Sequence, residues 1–588
     1  MHAPAMPPSI VRSCIACALG AIAALTIVPA FALDPAPEAA TDRTEKSPAT
    51  SRHFMVAAAN PLAVDAGRRI LAVGGSAVDA AIAVQLVLNL VEPQSSGIGG
   101  GAFMLVHDAR RGRLFAYDGR ETAPAAATPD RFLDAGGKPK EFRDAVIGGR
   151  SVGVPGVIAL FEAAHRRHGK LRWAELFAPA IALAKAGFAV SPRLHALLAA
   201  EGTMRQPRAR DYFFDANGRP LAVGAIRANP AFAATLERIA AGGARAFYEG
   251  DIARDIVATV DRAPVNPGDM TLADLVRYRA KLREPLCGRY RAYRVCGMPP
   301  PSSGGIAVLQ MLGMLERYDM AAMGPDTFWS VHFMSEAGRL AYADRDRYVA
   351  DPDFASVPTG LVDPAYLRAR SSLIGTTRTL GRASAGNPPG TPAGRFGEHA
   401  AIELPATSHI SIVDADGNAV AMTTSIESAF GSGLMTEGGF MLNNELTDFS
   451  FVPSEGGMPV ANRIEGGKRP RSTMAPTIVY DRAGRIFLVA GSAGGPAIVN
   501  FVVKTLLGVL DWKLDPQAAI ALPNVGSRNG PTELERDTAS AELAPKLEAL
   551  GHTTLVHAQS SGTQAIARTA QGWIGGADPR REGVASGD

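Results

Sequence analysis

The residues that could carry chemistry gather around one point of the chain. At Pro405-Ala406-Thr407-Ser408-His409 a Gly- and Pro-rich stretch gives way to a strand-like run. A threonine hydroxyl is a weak nucleophile unless a base stands beside it. A cut between Ala406 and Thr407 would supply that base as the new α-amino group, whose reference pKa of about 7.7–8.0 suits proton transfer near neutrality. Taken alone, a threonine opening a strand reads as structural. A second candidate is the Gly-rich turn Gly491 to Pro496, which follows a strand-like run and lacks the Gly-Lys-Ser/Thr ending of a phosphate loop. It offers backbone N–H groups to an anion or oxyanion.

Other motifs fall away on context. Gly97 to Ala102 fits G-x-G-x-x-A, but its strand follows the glycines, the reverse of a dinucleotide site. Glu162, His165 and His168 share a helix without H-E-x-x-H and beside arginines, which reads as a solvated helix end and not a metal site. No G-x-S-x-G elbow occurs.

The elements that must position Thr407 change character near it. Upstream lie helical stretches at Leu62 to Val73, Ala77 to Val91, Gly156 to His168, Trp173 to Ala186 and Phe328 to Val349. Strand-like runs are Ala102 to Val106, Arg113 to Tyr117, Ile410 to Val413, Ala419 to Ser425, Gly439 to Leu442, Thr477 to Tyr480 and Ile486 to Ala490. Ser384 to Gly397 reads as an exposed linker just before the strand-rich part.

The chain has 588 residues, 47% hydrophobic and 20% charged, which suits an enzyme-sized globular body and excludes a disordered one. With 60 basic against 57 acidic residues and no like-charge run, a nucleic-acid partner is not expected. Arg12 precedes the uncharged stretch Cys14 to Val28, then Pro29 and Ala30-Phe31-Ala32, the grammar of a signal peptide over residues 1–32. An exported protein, periplasmic or secreted, is therefore expected, with no stable membrane span after cleavage. Residues 33–54 read as a flexible leader. Removal of the signal would leave Cys287 and Cys296, which a hairpin turning at Arg291-Ala292 places opposite each other; a disulfide is geometrically open to them, as are two free thiols.

An ordered set of motifs resembles the γ-glutamyltranspeptidase (glutathione hydrolase) family of the N-terminal nucleophile hydrolase superfamily. They include Val91-Glu-Pro-Gln94, Gly97-Ile-Gly-Gly-Gly-Ala-Phe-Met104, Arg120-Glu-Thr-Ala-Pro124, Met298-Pro-Pro-Pro-Ser-Ser-Gly-Gly305 and Ala341-Tyr-Ala-Asp-Arg345. They continue through Thr407-Ser-His409, Leu442-Asn-Asn-Glu-Leu-Thr-Asp-Phe-Ser450, Lys468-Arg-Pro-Arg-Ser-Thr-Met474 and Gly491-Ser-Ala-Gly-Gly495. The resemblance implies an α+β fold, a four-layer αββα sandwich, made of a large subunit ending at Ala406 (body 55–406) and a small subunit 407–588. These stay associated after the precursor cuts itself between Ala406 and Thr407.

It further implies that Thr407 attacks a γ-glutamyl carbonyl, that the acyl group passes to water or to an amino acid or peptide, and that no cofactor is needed. Gly494 and Gly495 match the oxyanion-hole residues, and Ser425 stands where relatives carry a supporting Thr. Arg120, Ser472 and Thr473 match the grip on the substrate α-carboxylate at one end of the head group. At the other end Glu445 and Asp448 match acceptors of its α-ammonium.

Two departures bear on specificity. Glu427 stands where better-known members have Asn, which places three carboxylates around one cation. Phe451 to Gly467 lacks the Tyr of a closing lid, which implies an open site. The competing expectations are a glutaryl-cephalosporin acylase of the same superfamily, whose substrate has no α-amino group, and an unprocessed solute-binding protein, which would have no use for Thr407, Gly494 and Gly495.

Overall fold

The structure, a computed structural model, describes residues 43–200, 204, 206–391, 396–398 and 406–588. The expected signal peptide, residues 33–42 of the leader, part of the linker and Pro405 lie outside them.

Alternation of side chains builds the centre of the molecule. In the strand Thr407–Val413, Ile410 and Ile412 point one way, with Val56, Met104, Val420 and Met422 of neighbouring strands, against the helices Pro61–Ala72 and Ala77–Val91. Residues of the opposite parity, including Met55, Phe103, Leu105 and Ala421, face a second sheet and meet Ile478, Leu488 and Ile566.

Each of these two sheets has seven strands among the described residues, all antiparallel. The first runs Val584–Gly587, Met55–Ala58, Thr407–Val413, Ala419–Ser425, Gly101–Asp108, Arg113–Gly119, Lys281–Arg283. The second runs Ala49–Ser51, Gly572–Ala577, Gln564–Thr569, Ile486–Gly491, Thr477–Tyr480, Tyr293–Gly297, Leu286–Tyr290. The helices Gly304–Leu315, Phe328–Tyr348 and Ile498–Leu510 pack on the far side of the second sheet. The order is helix, sheet, sheet, helix, the expected four-layer sandwich. Both sheets draw strands from either side of Thr407, so neither half could close its own core.

The helix Ala77–Val91 is buried on every side, capped at Ser76 through a reciprocal box with Asp79. It ends beside Glu92, whose carboxylate reaches the nucleophile strand.

Several expectations change. The stretch 43–54, expected to be loose, is ordered: Ala49–Ser51 pairs with Trp573 to Gly575, and the Lys46 ammonium donates to the carbonyls of Asp578, Arg581 and Gly583 at 2.7, 2.6 and 2.6 Å. Its partners lie more than 500 residues away, so no local hydrophobic period marks it. Gly439 to Leu442 is not a strand; Gly439 takes a left-handed φ of 80° and packs on Asn229. The segment Phe451 to Gly467 carries a two-residue-per-arm hairpin, Ser454–Glu455 with Met458–Pro459. In the edge hairpin Tyr290 faces Tyr293, Arg291 takes φ 51°, and a disulfide joins Cys287 to Cys296 with Cα atoms 4.1 Å apart.

Candidate active site

Thr407 opens the third strand of the first sheet, in register with Ser425. Its hydroxyl lies 3.4 Å from the Ser425 hydroxyl. Ser425 in turn donates to the Ala406 carbonyl at 2.8 Å and accepts the Glu427 N–H at 2.9 Å. The Ala406–Thr407 peptide bond thus presents its carbonyl oxygen to a donor, next to the Thr407 hydroxyl. The Thr407 carbonyl is held by the Arg581 guanidinium at 3.2 Å. Ser408, on the opposite face, donates to Glu92 at 3.2 Å, and Glu92 pairs with Arg193 at 2.8 Å.

His409 lies between the sheets, its ring flanked by the hydroxyls of Thr423 at 2.8 Å and Ser411 at 3.0 Å. Burial pushes its pKa down to about 3, so the ring is neutral. It rests on Gly491, where a Cβ would come within 2.2 Å of the imidazole Cε1. Glycine there lets the second sheet approach the nucleophile strand.

The chain leaves Gly491 into the Gly-rich turn. Gly494 and Gly495 have φ of 118° and 53°, values that favour glycine. Their N–H groups have no protein acceptor among the described residues. Gly495 lines a small pocket together with Thr407, Ser425, Arg120, Glu427, Glu445, Asp448, Ser472 and Thr473. All the expected substrate-binding residues therefore share one pocket; Gly494 precedes Gly495 in the turn, where a Cβ would meet the Phe501 ring.

The clamp differs from the expected two-ended arrangement. Arg120, buried, engages Glu445 with Nη1 and Asp448 with Nη2, and donates to the carbonyls of Arg471 at 2.8 Å and Pro470 at 3.2 Å. Acid and base form one cluster. The guanidinium and the two carboxylates meet directly and do not stand at opposite ends of the pocket. Burial pushes the Glu445 carboxyl up to about 7 against the pull of Arg120, and raises Asp448 in the same way. Behind them burial, with Glu445 alongside, holds Glu121 well above the ordinary range. Glu445 Oε2 and Asp448 Oδ1 are buried without a hydrogen-bond donor. Such atoms are costly unless a donor arrives, and an ammonium carries three. Glu427, at a left-handed φ of 74°, turns into the pocket and takes hydrogen bonds from Ser428 and Asn444.

Ser472 and Thr473 are fixed from outside the pocket. The Ser472 carbonyl accepts both the N–H and the hydroxyl of Ser303, each at 2.7 Å. The Thr473 hydroxyl accepts from Arg345 at 2.8 Å. Glu92, Ser303 and Arg345 sit in the quoted motifs and signalled themselves there without a role; Arg581 carried no signal.

Of metal-ligand types, the described residues bring together His332, Glu336 and His552. Each is already hydrogen-bonded, His332 to His552 at 2.8 Å, and Arg339 donates to Glu336 at 2.9 Å while approaching His552 at 3.4 Å. With a guanidinium in residence the cluster is a polar network. Glu162, His165 and His168 do not converge: their partners are Arg166, the Leu171 carbonyl and Tyr117. No helix among the described residues is long and apolar enough to cross a membrane.

A family model described as gamma-glutamyltranspeptidase matches residues 63–588. The glutathione hydrolase proenzyme of Bacillus subtilis (strain 168) is 37% identical over 507 residues, 85% of this chain and 84% of that protein. The acylase ACY 1 proenzyme of Pseudomonas sp. (strain V22) is 36% identical over 553 residues, 92% of this chain and 95% of that one. Among solved structures, the cephalosporin acylase from Bacillus halodurans superposes with a TM-score of 0.80 at 28% identity, covering 94% of this chain and 99% of that chain. With a match that runs from residue 63 to Asp588, the chain is an enzyme of the gamma-glutamyltranspeptidase family.

Proposed function

We propose that the protein is an exported, self-processing γ-glutamyl hydrolase and transpeptidase that acts on glutathione and its conjugates. The observation that carries this reading is one pocket holding the Thr407 hydroxyl beside the Ala406 carbonyl, together with the Arg120, Glu445 and Asp448 cluster.

In the precursor, Thr407 Oγ attacks the Ala406 carbonyl carbon while the Ser425 hydroxyl steadies the oxygen as it gains charge. The C–N bond breaks, the acyl group passes to Oγ as an ester, and water hydrolyses that ester. The chain then consists of residues 33–406 and 407–588, with the Thr407 amine free. In the mature enzyme that amine takes the hydroxyl proton as Thr407 attacks a γ-glutamyl carbonyl. The N–H groups of Gly494 and Gly495 stabilise the oxyanion. The leaving amine departs protonated, and water or an incoming amine releases the glutamyl group.

Arg120, Ser472 and Thr473 hold the substrate α-carboxylate, Arg120 supplying positive charge while its fork stays engaged with Glu445 and Asp448. Glu445, Asp448 and Glu427 accept the α-ammonium. The short 451–467 segment leaves the pocket open to long acceptors. Export is supported by the signal grammar and by the Cys287–Cys296 disulfide, a bond that persists in oxidising compartments.

A gel of purified protein tests the core of this reading. Wild type should give two fragments meeting at Thr407, and Thr407→Ala should remain one inactive chain; an intact, active wild type sinks the mechanism. The second reading, a glutaryl-side-chain acylase, is favoured by the acylase relatives. A glutaryl group lacks the ammonium that the donor-free oxygens of Glu445 and Asp448 call for. Turnover of a glutaryl anilide but not a γ-glutamyl anilide would reverse the ranking.

A further inference from the structure

The motif Ala341-Tyr-Ala-Asp-Arg345 lies on the helix Phe328–Tyr348, none of whose residues lines the pocket. Tyr342 and Arg345 are one turn apart and project from the same face. That face meets the active site at two separate places. The Tyr342 phenol, buried, donates to the Pro496 carbonyl, one residue beyond Gly495. The Arg345 guanidinium, also buried, donates through Nη2 to Thr473 Oγ1 at 2.8 Å and through Nε to Ser303 Oγ at 3.0 Å. Ser303 in turn holds the Ser472 carbonyl at 2.7 Å. One helix face therefore grips both the glycine turn and the Ser472–Thr473 pair.

The glycine turn needs such a grip. Two consecutive glycines at positive φ bring backbone freedom to the segment whose N–H groups must be fixed. Between the Pro496 carbonyl and the Gly495 amide, φ of Pro496 is locked by its ring and the intervening peptide is planar. Fixing that carbonyl leaves few torsions by which the Gly495 N–H can wander. Burial raises the Tyr342 pKa, so the phenol remains a donor at any working pH.

We propose that Tyr342 and Arg345 are positioning residues of the reaction: Tyr342 aims the oxyanion-stabilising turn through Pro496, and Arg345 sets the carboxylate-binding hydroxyls of Ser472 and Thr473. The inference rests on the roles proposed above for that turn and that pair. It divides the helix into a part that acts on turnover and a part that acts on donor binding. A purely structural helix would not make that division. Because Tyr342 and Arg345 lie before the cut while Pro496, Ser472 and Thr473 lie after it, the site's geometry is set across the subunit boundary.

The test uses the full-length protein with γ-glutamyl anilide, counting active sites by the burst of released aniline. Tyr342→Phe removes one oxygen and should lower kcat per active site on the order of 10-fold, with KM within about two-fold. Arg345→Gln should raise KM for the same donor on the order of 10-fold, and leave KM for 4-aminobutyryl anilide, which lacks the α-carboxylate, nearly unchanged. Arg345→Lys should recover part of that loss. The proposal is overturned by Tyr342→Phe with wild-type kcat per site, even if less heat-stable, or by Arg345→Gln raising KM equally on both donors. It is also overturned if Tyr342→Phe folds but stays uncut, which moves the phenol to self-cleavage, or fails to fold, which leaves only a structural role. A wild type inert towards γ-glutamyl anilide would instead refute the functional reading, a result distinct from an active wild type with silent variants.

Discussion

Burial of several carboxyls around one guanidinium sets the chemistry of the pocket at the scale of single residues. Glu445 titrates near 7 because burial disfavours its charge more than Arg120 restores it. Only the ionised form can accept an ammonium, so binding of the head group should strengthen as pH rises through about 7 and weaken below it. The inhibition constant of L-2-aminobutyrate, which has the α-carboxylate and α-ammonium but no γ-carboxylate to meet the Thr407 amine, reports this effect when measured from about pH 5.5 to 8.5. Glu445→Gln should flatten the profile and weaken binding at the alkaline end. A wild-type profile already flat across that range would mean that another group carries the ammonium. The inflection belongs to the Glu121, Glu445 and Asp448 cluster and not to one site, since the three interact.

The roles at this scale were legible only through motif order. A lone Thr407 or Arg120 has no signature of its own, because the two come together in one pocket from positions almost 300 residues apart. Tyr342 meets the Pro496 carbonyl and Arg581 the Thr407 carbonyl across more than 150 residues of chain, and nothing in local sequence marks such contacts.

At the scale of elements, the spacing between the Thr407 strand and the glycine turn is set by His409 against Gly491. The ring is held on both sides by Thr423 and Ser411, so it cannot swing away from an added methyl. Gly491→Ala should therefore part the two strands, costing about 1–3 kcal/mol of stability and on the order of 10-fold in kcat. A melting temperature within about 1 °C of wild type with unchanged kcat would show that the contact has slack.

Elements were most readable where hydrophobic period dominates. The helix Ala77–Val91 and the strands Ala419–Ser425 and Thr477–Tyr480 have the bounds the sequence suggests. The strand that the sequence suggests from Ile410 begins at Thr407. Its first residues are polar, because one face meets the His409 cluster and the other meets Glu92, so the apolar alternation starts late. Ala49–Ser51 escaped for a different reason, since its pairing is with the far end of the chain.

Across the whole molecule, cleavage severs one peptide bond and no layer. Met55–Ala58 lies between Val584–Gly587 and Thr407–Val413 in one sheet, and Tyr293–Gly297 pairs with Thr477–Tyr480 in the other. Separating the fragments would expose strand edges in both sheets and the core between them. The processed enzyme should run as one species in native gel filtration and unfold in a single transition. Fragments that part without denaturant would contradict a shared core. The four-layer class followed from the resemblance and from the strand-rich second part. The interleaving did not, because strand order between distant segments leaves no trace in composition.

The described ends of the chain meet on one side of the body: the Thr44 N–H donates to the Pro579 carbonyl at 2.9 Å, and the His53 N–H to Asp588 at 2.9 Å. A permuted gene running from residue 407 to 588, through a short linker, and on from 43 to 406 would keep every strand pairing. Its first residue after leader removal would be Thr407, with the amine free from birth. Such a protein should be active with no maturation step, even where Ser425→Ala stalls the natural precursor. It would turn a zymogen into an enzyme that needs no activation.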